Sequence, residues 1–141
     1  MILGLGNDLV DITRIDRLLD RFALRFLRKV FTPTECTYAF KYPFPASILA
    51  RRFAAKEACA KALGVGLKTL GARTKDGVLW EEVEVLSSGT GQPSLKLTGS
   101  ALVRLKFMTP PHMIPSIHVS LSDQHPYALA TVILTANSIQ E

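Results

Sequence analysis

The chain has 141 residues, 48% of them hydrophobic and 21% charged, and carries a formal net charge of +5. That length fits one compact domain with its own core and leaves no room for a separate cofactor module, and the composition excludes a disordered chain. The positive balance favours an anionic partner, with nucleic acid, an acidic protein and a phosphorylated cofactor all open.

The apolar opening, Met1 to Gly6, meets Asn7 and Asp8 at once, so it reads as a buried first strand over Ile2 to Leu5 rather than a signal-peptide core. No run is long enough to span a membrane. Gly4-Leu5-Gly6-Asn7-Asp8 allows a tight turn that would set Asp8 at the strand's C-terminal edge, where α/β ligands often bind. Asp8 equally suits a turn or a helix cap, and the pattern is not a dinucleotide fingerprint.

An amphipathic helix is predicted from about Ile12 to Lys29 with Asp11 as its N-cap. Arg14, Arg17, Arg21, Arg25 and Arg28 are spaced by 3, 4, 4 and 3 positions, so they form one stripe roughly 60 to 80° wide. Ile15, Leu19, Phe22 and Phe26 cluster on another side and are expected to pack on the core. Asp16 and Asp20 lie away from the stripe, so the arginines form either a solvated basic face or a docking surface.

Thr32-Pro33-Thr34-Glu35 opens a second helix as a capping box with proline in the first turn, and Pro43 and Pro45 end it. A third helix runs to Leu63, with Ser47 as its predicted cap and Gly64 and Gly66 stopping it in a left-handed conformation. Stepping 100° per residue brings Phe53, Ala54, Glu57, Lys61 and Gly64 within about 100° of one another. The same spacing also fits an i,i+4 surface ion pair between Glu57 and Lys61.

The second half changes to strands at Val78 to Leu86, Ser94 to Leu97, Ser116 to Ser122 and Tyr127 to Thr135, separated by turn residues. A hairpin loop at Ser87 to Pro93, a short helix over Ser100 to Met108 and a tight turn at Asp123 to Pro126 complete the reading. Helices early and strands late predict an α+β domain with a mainly antiparallel sheet. His118 alternates with Val119 on a strand read as central, where a histidine serves as a ligand or as a structural hydrogen-bonder. Cys36 and Cys59 lack CxxC spacing, and with three histidines make no transition-metal set, so a reducing cytoplasm is the expected compartment.

The ordered set Gly4 to Asp8, Phe31 to Glu35, Arg52-Phe53-Ala54-Ala55-Lys56-Glu57-Ala58, Lys61 to Gly66 and His118-Val119-Ser120-Leu121-Ser122 resembles the holo-acyl-carrier-protein synthases. These form the short bacterial-type branch of the 4′-phosphopantetheinyl transferases, and the resemblance runs from Met1 to about Leu134. It implies transfer of phosphopantetheine from coenzyme A to a serine of an apo acyl carrier protein, with adenosine 3′,5′-bisphosphate released, in fatty acid biosynthesis. It further implies Mg²⁺ held by Asp8 and Glu57, Lys61 in catalysis, and Arg52, Lys61, Gly64, Gly66 and His118 along the coenzyme A site. A homotrimer with shared sites is implied as well, with Arg14, Leu18, Arg21 and Arg25 docking the acidic carrier. Asp123 stands where the family commonly has His, and Val65 where it has Thr; Asp123 is expected to turn away from any phosphate.

Magnesium prefers oxygen ligands and is commonly bound by one or two carboxylates plus substrate phosphates, which suits that assignment. A basic nucleic-acid-binding domain competes on charge alone, but the strands lack aromatic pairs for base stacking and Trp80 sits among glutamates.

Overall fold

The computed structural model describes residues 1–67 and 77–139. Its first strand, β1, runs over Ile2–Asp11, twice the predicted length and more. The glycines that read as a turn lie inside this strand for a different reason. A Cβ on Gly4 would overlap the Ala62 carbonyl oxygen, and one on Gly6 the Ala58 carbonyl oxygen. They are extended residues that let a helix press onto the strand, so Asp8 lies within β1 rather than at its edge.

Helix α1 (Ile12–Val30) starts where predicted, with Asp11 Oδ1 accepting from Thr13 N at 2.9 Å and from Thr13 Oγ1 at 2.6 Å. Ile15 is fully buried. Phe22 breaks the helical phase with φ −130° and ψ 20° and is exposed, contrary to its predicted core role. Local backbone geometry there overrides the 3.6-residue period.

In α2 (Pro33–Ala39) the capping box forms as read: Thr32 N donates to Glu35 Oε1 at 2.9 Å and Glu35 N donates to Thr32 Oγ1 at 3.3 Å. Helix α3 (Pro45–Ala62) begins two residues before Ser47, which is not its cap. The Ser47 hydroxyl instead donates to the Phe44 carbonyl at 3.0 Å. At the other end Gly64 takes a φ of +70°, as a helix stop requires. Gly66 does not enter that region.

The strand predicted over Val78 to Leu86 is divided. Val78 bridges Leu67, Trp80–Glu82 form a 3₁₀ turn, and only Val83–Ser87 (β2) continues as strand. It pairs antiparallel with β3 (Pro93–Leu97) across the predicted hairpin loop. Helix α4 (Gly99–Met108) follows, and the Glu82 carboxylate caps it by accepting from Ser100 Oγ at 2.6 Å and Ala101 N at 2.9 Å.

Strands β4 (Met113–Gln124) and β5 (Tyr127–Ser138) complete an antiparallel sheet in the order β1-β5-β4. His118 therefore sits on an edge strand of this sheet, not the central one. Ala128, Ala130, Val132, Leu134 and Ala136 alternate along β5 with no exposure and face the small residues of α3. The opposite face carries Leu5, Leu9, Tyr127 and Leu129, all exposed. The α+β class read from the sequence holds.

Candidate active site

Two elements build the first cluster. Because α3 lies directly on β1 at the glycines, with Ala58 against Gly6 and Ala62 against Gly4, the same turns bring Glu57 and Lys61 to Asp8. Lys61 Nζ donates to Asp8 Oδ1 at 3.0 Å and to the Asn7 carbonyl at 2.9 Å. The Lys61 side chain is 53% exposed and that of Asp8 18%. The i,i+4 spacing of Glu57 and Lys61 is thus not spent on a mutual ion pair; among the described residues Lys61's salt bridge is to Asp8.

Glu57 has an unusual carboxyl. Burial first, and then the negative charge of Asp8, push its pKa above the ordinary value, while Lys61 and Arg14 pull the other way. Two carboxylates that repel each other, one of them oriented by a lysine, form a site whose charge a divalent cation would relieve. The donor set is all oxygen, which fits magnesium better than zinc or copper. No group of three or more His, Cys, Asp and Glu side chains suited to a metal occurs among the described residues. A magnesium ion asks for no more than two carboxylates when phosphates and water complete its shell.

Arg52 occupies another side of α3. Its guanidinium stacks over Tyr38 with 4.4 Å to the ring centroid, and Nη2 donates to Ser87 Oγ at 3.2 Å. It borders a cavity of about 100 Å³ together with Tyr38, Ser87, Gly91, Pro93 and Leu121. Asp123 turns to Arg51, 3.1 Å from its Nη1.

The remaining coenzyme A candidates lie elsewhere. Gly64 follows the end of α3, where Arg104 Nε donates to the Leu63 carbonyl at 2.8 Å. Gly66 precedes the Leu67 bridge to Val78. His118 projects from the outward face of β4, with its Nε2 3.0 Å from Thr135 Oγ1 on β5. Asp8 belongs to the inner face, opposite Ala130. One chain thus joins Lys61 to Asp8 and Glu57 but keeps Arg52 and His118 apart from them.

On α1 the five arginines are all exposed, and Leu18 lies half-buried beside them. Arg14, Arg17, Leu18 and Arg21 line one shallow groove with Phe22. A second, between α1 and α3, runs from Arg14 and Leu18 to Arg25, Phe26 and Trp80. Arg14 also reaches over the Phe53 ring at 5.8 Å, so the stripe abuts the helix that carries Glu57. Asp16 and Asp20 form no salt bridge to it among the described residues.

Sequence reasoning missed Tyr38 and the buried partner of Glu35. Lys56 Nζ lies 2.7 Å from Glu35 Oε1 and donates to the Trp80 and Val83 carbonyls at 2.9 and 2.8 Å. The signal was a lysine in the middle of an alanine-rich, core-facing stretch, where only a paired charge is tolerated.

Residues 4–132 match the 4′-phosphopantetheinyl transferase superfamily. A holo-[acyl-carrier-protein] synthase of Caulobacter vibrioides is 53% identical over 136 residues, covering 96% of this chain and 97% of that protein. The crystal structure of the Neisseria meningitidis holo-[acyl-carrier-protein] synthase superposes with a TM-score of 0.78 at 30% identity, covering 96% and 99% of the two chains. The Helicobacter pylori holo-[acyl-carrier-protein] synthase in complex with coenzyme A gives 0.73 at 27% identity, covering 93% and 99%.

Proposed function

The chain belongs to the 4′-phosphopantetheinyl transferase superfamily, and from that we propose that it transfers the 4′-phosphopantetheine of coenzyme A to a serine of an apo acyl carrier protein. The observation that carries the reading is the meeting of Asp8, Glu57 and Lys61 where β1 crosses α3. It occurs in a chain that shares half its residues with a holo-[acyl-carrier-protein] synthase.

The reaction forms a bond from the serine oxygen to the β-phosphorus of the coenzyme A diphosphate. The bond from that phosphorus to the bridging oxygen breaks, and its electron pair leaves with adenosine 3′,5′-bisphosphate. Asp8 and Glu57 would hold Mg²⁺, which when bound neutralises charge on the diphosphate oxygens. Glu57, raised by burial, is suited to take the serine proton at its carboxylate. The Lys61 side chain is half exposed, and its ammonium, beside Asp8, can donate to the departing phosphate.

Arg52, Gly64, Gly66 and His118 complete the coenzyme A site in this reading, across a homotrimer rather than within one chain. Support comes from the placement of His118 on the sheet face opposite to that of Asp8 and of Arg52 on another side of α3 from Glu57, and from the exposed leucines on the sheet face that bears His118. The carrier protein docks on Arg14, Leu18, Arg21 and Arg25. The chain acts as one domain in the cytoplasm, and no described helix is long and apolar enough to cross a membrane. The test is whether a purified apo carrier protein gains the mass of phosphopantetheine when given this enzyme, coenzyme A and magnesium.

A further inference from the structure

Arg52 is 4% exposed, and its buried Nε has no partner. Among the described residues it forms no salt bridge. The nearby Glu35 carboxylate is already taken by Lys56, by Thr32 N and by Val85 N. Burial lowers the pKa of Arg52, opposed first by the charge of Glu35 and then by Tyr38. A desolvated guanidinium with an orphaned N–H and no carboxylate of its own is poised to receive an anion. The small cavity beside it gives that anion a place.

Something must hold this side chain in place, because an arginine loses much rotamer freedom on ordering. Two groups do so from outside α3. The Tyr38 ring lies 4.4 Å beneath the guanidinium carbon, and Ser87 accepts from Nη2 at 3.2 Å. A cation over an aromatic face gains strength when both are removed from water. The Tyr38 hydroxyl is tied in its turn to Tyr42 and Ser87, whose hydrogen bonds lower its pKa.

The geometry points to Tyr38, assisted by Ser87, as a positioning residue that fixes the Arg52 guanidinium for a phosphate of coenzyme A. This rests on the reading that Arg52 faces coenzyme A. Tyr38 itself acts on Arg52, through its ring face, and need not touch substrate.

The test compares Arg52→Ala, Tyr38→Leu, Tyr38→Phe, Ser87→Ala and the double variant Tyr38→Leu/Arg52→Ala by steady-state kinetics on both substrates. Tyr38→Leu is expected to raise the KM for coenzyme A roughly three- to tenfold, with kcat and the carrier-protein KM near the parent values. Tyr38→Phe keeps the ring and should restore the coenzyme A KM to within about twofold. In the Arg52→Ala background Tyr38→Leu should cost nothing more, because the two residues act as one unit. If Tyr38→Leu does not fold, Ser87→Ala carries the comparison, with a rise of roughly threefold expected and an unchanged KM overturning the proposal. An unchanged coenzyme A KM in Arg52→Ala would overturn the placement of Arg52 and this inference with it. A raised KM in Arg52→Ala but not in Tyr38→Leu, or an equal rise from Tyr38→Leu in both backgrounds, would overturn the positioning role alone.

Discussion

The ammonium of Lys56 lies 2.7 Å from Glu35 Oε1, and neither side chain is exposed. The pair joins α2, α3 and the Trp80 turn, and its own polar groups are engaged: Glu35 Oε1 accepts from Thr32 N and Oε2 from Val85 N, each at 2.9 Å, and Lys56 reaches two carbonyls. Burial lowers the pKa of Lys56, with Glu35 opposing the shift. Removing one partner from such a pair leaves an uncompensated buried charge, at a cost of about 3–5 kcal/mol. Lys56→Met is therefore expected to lower the unfolding free energy by roughly that amount in urea titrations. A loss under about 1 kcal/mol would show that the pair is dispensable.

Glu57 predicts a pH trend in stability. Its folded pKa lies above the ordinary 4.5, so the folded chain keeps a proton that the unfolded chain has released. Stability on this account falls as pH rises from 4.5 through the raised folded value, and the penalty persists above it. Without metal, Glu57→Gln should melt higher than the parent at pH 8, and the difference should vanish toward pH 4. Magnesium at about ten times its dissociation constant adds about 1.4 kcal/mol to the parent, seen as a higher Tm. The same addition should leave Glu57→Gln unmoved. A parent Tm indifferent to magnesium at pH 8 would remove the two-carboxylate metal site.

The arginine stripe on α1 faces solvent and, among the described residues, forms no salt bridge, so its field is available to an acidic partner. Arg14→Glu or Arg21→Glu is expected to raise the carrier-protein KM by at least roughly tenfold and to leave the coenzyme A KM nearly unchanged. Salt should weaken the parent's use of the carrier, since the Debye length falls from about 10 Å at 0.1 M to about 3 Å at 1 M. Unaltered carrier kinetics in both reversals would reduce the stripe to a solvated face.

Leu5 and Leu9 are 64% and 62% exposed on the sheet face that also bears His118. Light scattering is expected to return a trimer for the parent and smaller, inactive species for Leu9→Glu. A fully active monomer would refute both the trimer and the sharing of Arg52 and His118 between subunits.

Local rules in the sequence were legible where they are decided locally. The Asp11 cap, the Thr32 to Glu35 box and the Gly64 stop follow from side-chain chemistry within a few residues, and all three form. The shared face of Glu57 and Lys61 followed from helical period. What period could not show is that Lys61 reaches across to Asp8 on β1, because that contact depends on glycines read as a turn. Phe22 escaped for the converse reason: its period is correct, but the helix kinks there. Glu35 hid its second role behind its first, since the capping box already explained it. Arg52 and His118 were assigned to one site by resemblance; the fold puts Arg52 on α3 and His118 on the outward face of β4, a placement that helical and strand period within each segment could not relate.

The central claim is tested most directly by intact-mass measurement of a purified apo acyl carrier protein incubated with coenzyme A. Four reactions suffice: parent with magnesium, parent with a chelator, Asp8→Ala with magnesium and Glu57→Ala with magnesium. The parent with magnesium should convert the carrier fully, with one phosphopantetheine on one serine. The other three should be slower by at least about a hundredfold, because losing a carboxylate or the ion leaves the diphosphate poorly neutralised. No mass gain with the parent, or near-parental conversion by Asp8→Ala and Glu57→Ala at low magnesium, would contradict the account.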